Sequence, residues 1–412
     1  MKIWIKYLIG VSLGMIIAFL FPTGNSFATS TINFLCDISI KFGKYSLFPF
    51  LFFTMTLGTY KIRESGSLFK VVFGSFLVIL ILSFLVSIIG ILSVILVSAP
   101  RVPIFQEEGA LALEASLGIK EAFLRMLPPN AFLSFYESVF ILPICIFAIL
   151  IGSSCNLDKV NARPIIALFD NLSRIFYSLM SFFVEMFYIA LIAITAYWVI
   201  EFKGFLINKT FLHFAILLFA DLFIIILIIY PIVIKIFCRK INPYKLIYAS
   251  IAPMLAAFFS GDANVTLNIL FRHSNESLGV RRRITSFVLP MFSTFGRAGS
   301  ALVISVSFIV IMTSYSSLGM NSLTDMSYLV VLSVFLSMCI SHRSKEGIYI
   351  ALSVVCSIYG NGFESGFLIL HPAIFFMASI ATALDAITSL VGTYIVAYHS
   401  NMANTREIRF FI

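Results

Sequence analysis

Apolar runs occupy residues 3–21, 33–60, 69–98, 122–152, 165–200, 210–238, 287–315 and 366–398, most of them long enough for the ~20 residues a helix needs to cross a bilayer. Two more stretches, 246–276 and 326–362, are apolar but broken midway by small and polar residues. The pattern predicts an all-α polytopic membrane protein with eight transmembrane helices and two irregular segments. The first irregular segment reads as a re-entrant helical hairpin, because backbone and carboxylates at membrane depth must line a protein-enclosed cavity. The second, interrupted by Ser341-His342-Arg343-Ser344-Lys345-Glu346-Gly347, is either a loop in water or a charged hairpin tip, and on its own residues the loop is favoured.

Composition sharpens the class. Of 412 residues, 60% are hydrophobic and 11% charged, against roughly 25% charged in soluble domains, and the mean hydropathy is +1.04. A water-soluble enzyme is excluded. The net charge of +9 reports topology here rather than nucleic acid as a partner. With a cytoplasmic N-terminus the inner loops carry Lys2, Lys6, Lys61, Arg63, Lys70, Lys159, Arg163, Lys235, Arg239, Lys240 and Lys245, and the outer loops only Arg101, Lys203 and Lys209. Both termini are thus placed in the cytoplasm of a cell (inner) membrane. Residues 1–21 resemble a signal peptide but lack a small-residue cleavage site, which favours an uncleaved first helix. The six cysteines are scattered without CxxC spacing and read as buried small hydrophobes, and no catalytic centre, cofactor or metal cluster is expected.

Scarce charges in the irregular segments carry the chemistry. Ser260-Gly261-Asp262-Ala263-Asn264-Val265-Thr266 would form the first hairpin's tip, and Ser293 to Ser300 interrupt the seventh span with Gly296 and Gly299 around Arg297. Arg297 either points into a cavity or pairs with Asp262 or Asp385 to hold helices together. In the last span Thr382, Asp385 and Ser389 share a face, with Thr388 beside them. Asp221 and Glu185, also within spans, are divided evenly between structural pairing and use.

The order of these parts resembles the dicarboxylate/amino acid:cation symporter family, the glutamate transporter fold. The resemblance lies in Arg239-Lys240-Ile241-Asn242-Pro243-Tyr244, Ala256-Ala257-Phe258, Thr266-Leu267, Leu278-Gly279-Val280 and Phe287-Val288-Leu289-Pro290. Weaker matches are Leu127-Pro128-Pro129-Asn130, Tyr230-Pro231 and Gly392-Thr393-Tyr394-Ile395-Val396-Ala397. It implies eight spans with two re-entrant hairpins in inverted repeats and a homotrimer in lipid. Residues 1–66 and 119–205 would be a static scaffold, while 67–118 and 206–412 would slide as an elevator-like transport domain.

The family's site motifs are largely replaced. Its serine-rich tip corresponds to Asp262-Ala263-Asn264, and its Asn-Met-Asp-Gly-Thr aligns with Gly296 to Ser300, so both cation-ligating side chains are absent. In the last helix the substrate-binding Asp and Arg align with Ala378 and Ala381, Thr382 is kept, the Asn becomes Asp385 and the final Asp becomes Ser389. A rewired substrate site is expected from Asp262, Ala263, Asn264, Arg297, Ser300, Arg343, Lys345, Thr382 and Asp385, since a guanidinium fork suits a carboxylate. Gly296, Asp262, Asp385 and Ser389 are the ion-coupling candidates, with H⁺ or Na⁺ as the coupling ion. The expected function is secondary active symport of a small organic anion, such as a dicarboxylate or an acidic or neutral amino acid. The alternative is a diverged, uncoupled member acting as a substrate sensor or anion channel.

Overall fold

The computed structural model describes residues 2–20, 26–97, 101–102, 130, 135, 141–207, 211–239, 241–315, 323–339, 344–360, 365–404, 406–408 and 411–412. Arg343 and the stretch 103–129 lie outside the described residues, as does most of the sequence between the third and fourth apolar runs. What is described is mostly helical, with turns and short connections between the helices and, among the described residues, one isolated bridge between Val280 and Ala403 in place of any strand. Among the described residues, six helical stretches are long and apolar enough to cross a membrane, namely 3–20, 68–97, 159–205, 212–237, 282–315 and 366–399.

The N-terminal helices are α1 (Ile3–Leu20), α2 (Ser26–Lys44), α3 (Leu47–Glu64), α4 (Leu68–Val97), α5 (Leu142–Cys155) and α6 (Lys159–Ile207). The second apolar run is therefore two helices, not one. Pro49 explains the division: inside a continuous helix its ring would meet the carbonyl of Tyr45 and its missing N–H would open the ladder, whereas in the first turn of α3 neither matters. Helix α7 (Leu212–Phe237) widens into a π-turn at Ile225–Ile229 just ahead of Pro231, which again cannot donate to its preceding turn.

Helices α8 (Pro243–Ser260) and α9 (Ala263–Arg272) form a tight pair. The side chain of Asn242 caps α8, accepting from the Tyr244 N–H at 3.1 Å. Gly261, at φ 60°, closes it in the left-handed region that glycine tolerates. Asp262 then starts α9 by accepting from the Asn264 N–H at 2.9 Å, so two residues reverse the chain. The seventh run is broken into α10 (Arg282–Phe295) and α11 (Ala298–Tyr315) at Gly296–Arg297. The helices α12 (Leu323–Met338) and α13 (Ser344–Tyr359) precede a 3₁₀ turn and the last helix, α14 (Ile374–His399).

Every residue of α14 from Ile374 to Ala397 is buried, which makes it the centre around which α8, α9, α10, α11 and α13 pack. Helix α4 shows the opposite design. Leu77, Ile81, Ile88, Leu92 and Ile95 are exposed on one side, the face a bilayer would cover, while Ser75, Ser83, Ser87 and Gly90 are buried on the other. Small residues let backbones approach in lipid, where apolar burial gives helices no preference for each other. There the Ser87 hydroxyl lies 3.0 Å from that of Ser333 on α12.

Candidate functional site

Gly299 determines how α11 meets α14. A Cβ at this position would fall on Leu384 and on the backbone of Ala381, so only glycine allows the first turn of α11 to rest against the central helix. That approach brings two unpaired helix-terminal amides onto Asp385. Its Oδ1 accepts from the N–H of Gly299 at 2.8 Å and of Ser300 at 3.1 Å, and its Oδ2 accepts from the Ser300 hydroxyl at 2.7 Å. A carboxylate is the group the positive end of a helix favours.

Arg297 occupies the gap just before that turn and is 1% exposed. None of its three side-chain nitrogens has a hydrogen-bond partner among the described residues, although Asp385 and Asp262 both act on it electrostatically. The reading in which Arg297 is a hydrogen-bonded structural partner of one of these aspartates is not what is found. A planar fork of five donors is held in the protein interior with its donors unspent.

Asp262 faces two ways. It caps α9, and it forms an ion pair with Lys44 at the end of α2. Ala263 and Asn264 form the first residues of α9, half-buried and buried. The Thr382 hydroxyl bridges α14 to α8 through the carbonyl of Ala257 at 2.9 Å. The Ser389 hydroxyl donates to the Asp385 carbonyl at 2.8 Å, and the Gly296 N–H closes α10 on the carbonyl of Phe292.

In front of this cluster is a cavity of about 490 Å³. Asp37, Lys41 and Lys44 of α2 line one side, Tyr197 and Trp198 of α6 another, and Asp262, Lys345, Glu346 and Ser379 complete it. Lys345 places its ammonium 5.2 Å from the ring centres of Tyr197 and Phe375, a cation–π arrangement. The indole N–H of Trp198 donates to the Ser379 hydroxyl at 2.9 Å. The site residues picked out in the sequence thus fall in two layers: Asp262 and Lys345 line the cavity, while Arg297, Ser300, Thr382, Asp385 and Ser389 are buried and do not.

Lys44 was the residue sequence reasoning missed. It lies inside an apolar run, where any ionisable group is a site hypothesis by default, and that was the signal available. Asp221 and Glu185 have structural partners: the Ser93 hydroxyl donates to Asp221 at 2.9 Å, and Arg272 donates to Glu185 at 2.6 Å.

Residues 3–399 match the family model of the sodium:dicarboxylate symporter family. The serine/threonine transporter SstT of Acinetobacter baylyi is 23% identical over 367 residues, 86% of this chain and 86% of that protein. SstT of Acinetobacter baumannii is 26% identical over 200 residues, 47% of this chain and 48% of that protein. The human neutral amino acid transporter B(0) is 31% identical over 85 residues, 21% of this chain and 16% of its own length.

Proposed function

The chain belongs to the sodium:dicarboxylate symporter family, as a multi-pass membrane transporter and not an enzyme, and from that premise we propose that it carries a small zwitterionic amino acid across the membrane, with H⁺ as the coupling ion. The buried, unspent guanidinium of Arg297 beside the Asp385 carboxylate carries this reading. A substrate carboxylate satisfies the guanidinium in bidentate fashion. A carboxylate has about four acceptor positions, and three on Asp385 are used by Gly299 and Ser300, so one is left for a substrate ammonium.

A zwitterion adds no net charge to a cluster whose two aspartates already face Lys44 and Arg297, whereas a dicarboxylate would add two negative charges in a medium of low dielectric. Two relatives, a serine/threonine transporter and a neutral amino acid transporter, agree with this reading.

The finer architecture follows the same reading. Pairs α8–α9 and α12–α13 are the two re-entrant hairpins among eight spans. Residues 1–66 and 119–205 are the scaffold of a homotrimer, and 67–118 with 206–412 slide across the membrane, with both termini cytoplasmic. The cavity in front of Asp262 receives the substrate on its way to Arg297.

Ligand binding to the folded state raises the melting temperature by mass action, so the purified protein is titrated with L-serine, L-threonine, L-alanine and succinate. The three amino acids are expected to shift it and succinate is not. A shift with succinate alone would refute the zwitterion reading, and silence from all four would remove the transporter assignment of this site.

A further inference from the structure

We infer that Arg297 is the resident cation of this site, and that the chain binds its substrate without Na⁺. The inference rests on the transporter reading only for what the substrate is. Sodium is the ion the family description implies, so the residues around the helix break decide whether it fits. They do not. A hard cation needs several oxygen ligands at once, and Gly296, Arg297, Ala298 and Gly299 bring no side-chain oxygen to the break between α10 and α11.

The two carboxylates nearby are already committed. Asp385 holds two backbone amides and one hydroxyl at the start of α11. Asp262 is ion-paired with Lys44 and caps α9. Lys44 is the ion-pair countercharge of Asp262, and the Arg297 guanidinium, without a direct contact, acts electrostatically on both Asp385 and Asp262. A sodium ion beside Arg297 would be a third cation against two anions, in a buried place where like charges repel strongly. The guanidinium does by covalent attachment what a bound ion would do: it compensates the carboxylate and presents a positive face to a substrate carboxylate.

The test begins with the ion alone. Melting curves of the wild-type protein in detergent are recorded in NaCl and in choline chloride at equal ionic strength, then repeated with saturating L-serine. The two salts are expected to give melting temperatures within about 1 °C of each other, and the serine shift is expected to be the same in both, since only an ion that binds the folded state moves the equilibrium. A Na⁺-specific rise of several degrees, or a serine shift that requires Na⁺, overturns the inference. If neither salt nor any amino acid moves the curve, the resident cation stands and the amino acid reading falls. Arg297→Met is the second arm. Removing the tethered charge is expected to abolish the serine shift in both salts, and a variant that keeps the serine shift in choline would also overturn the assignment.

Discussion

At the scale of single residues, Asp385 and Arg297 are only intelligible together. Asp385→Asn keeps an oxygen for the amides of Gly299 and Ser300 but removes the stronger-acting of the two negative charges that face the buried Arg297 guanidinium, leaving Asp262 alone. Removing one partner of a buried charge pair costs about 3–5 kcal/mol, so this variant is expected to melt well below the wild type. The double variant Asp385→Asn/Arg297→Met removes both charges and is expected to recover most of that loss, a coupling that thermal unfolding of the four proteins measures directly. If the double variant is as unstable as the sum of the two singles, the charges do not compensate one another. Both residues were visible in the sequence because charges inside spans are rare enough to be conspicuous. Their arrangement was not: a sequence does not say that Arg297 remains unspent while Asp385 binds backbone. Lys44 was passed over because its partner, Asp262, lies more than 200 positions away, and no local pattern joins them.

Helices are built here from a few decisive positions. The turn between α8 and α9 depends on Gly261, which has open space around its Cα but sits at φ 60°. Gly261→Ala is thus expected to cost about 1–2 kcal/mol through backbone strain alone, with the serine-dependent shift retained. Gly299 is the reverse case, with an ordinary backbone and no space. Gly299→Val is expected to push α11 off α14, to cost at least ~2 kcal/mol by overpacking and to abolish the serine shift, because the amides that hold Asp385 move with the helix. Equal effects of the two variants on ligand binding would contradict this division. Helix existence, the turn at Gly261–Asp262 and the break at Gly296–Arg297 could all be read from glycine and polar punctuation in apolar runs. The separation of α2 from α3 was hidden because Pro49 sits among Leu47, Phe48 and Phe50, where hydropathy stays high through the break. The π-turn of α7 leaves no mark in hydropathy either, since all five of its residues are isoleucine or leucine.

Across the whole molecule, the N-terminal helices hold the α8–α9 pair through a small number of polar links. Lys44 of α2 pairs with Asp262, and Arg272 at the end of α9 donates to Glu185 of α6 and to the carbonyl of Ser181. Trp4 of α1 and Lys2 just before it donate to the Tyr248 hydroxyl of α8 at 2.8 and 3.2 Å. The C-terminal tail reinforces the base of this contact, with the Asn404 N–H donating to the Gly279 carbonyl and Phe411 packed near Tyr248. If 206–412 slides past 119–205 as a unit, the contacts of α9 with α6 separate and re-form in every transport cycle, while those inside the α14 cluster persist. A covalent link between α6 and α9 should then separate binding from movement. In a background lacking the six native cysteines, cysteines at positions 185 and 272 joined by a short bifunctional thiol reagent are expected to leave the serine-dependent rise in melting temperature intact. The same link should stop serine uptake into proteoliposomes, and reduction of a cleavable linker should restore it. Uptake that continues at the uncrosslinked rate would mean that these two helices do not move apart, and the division of the chain into scaffold and moving parts would have to be drawn elsewhere.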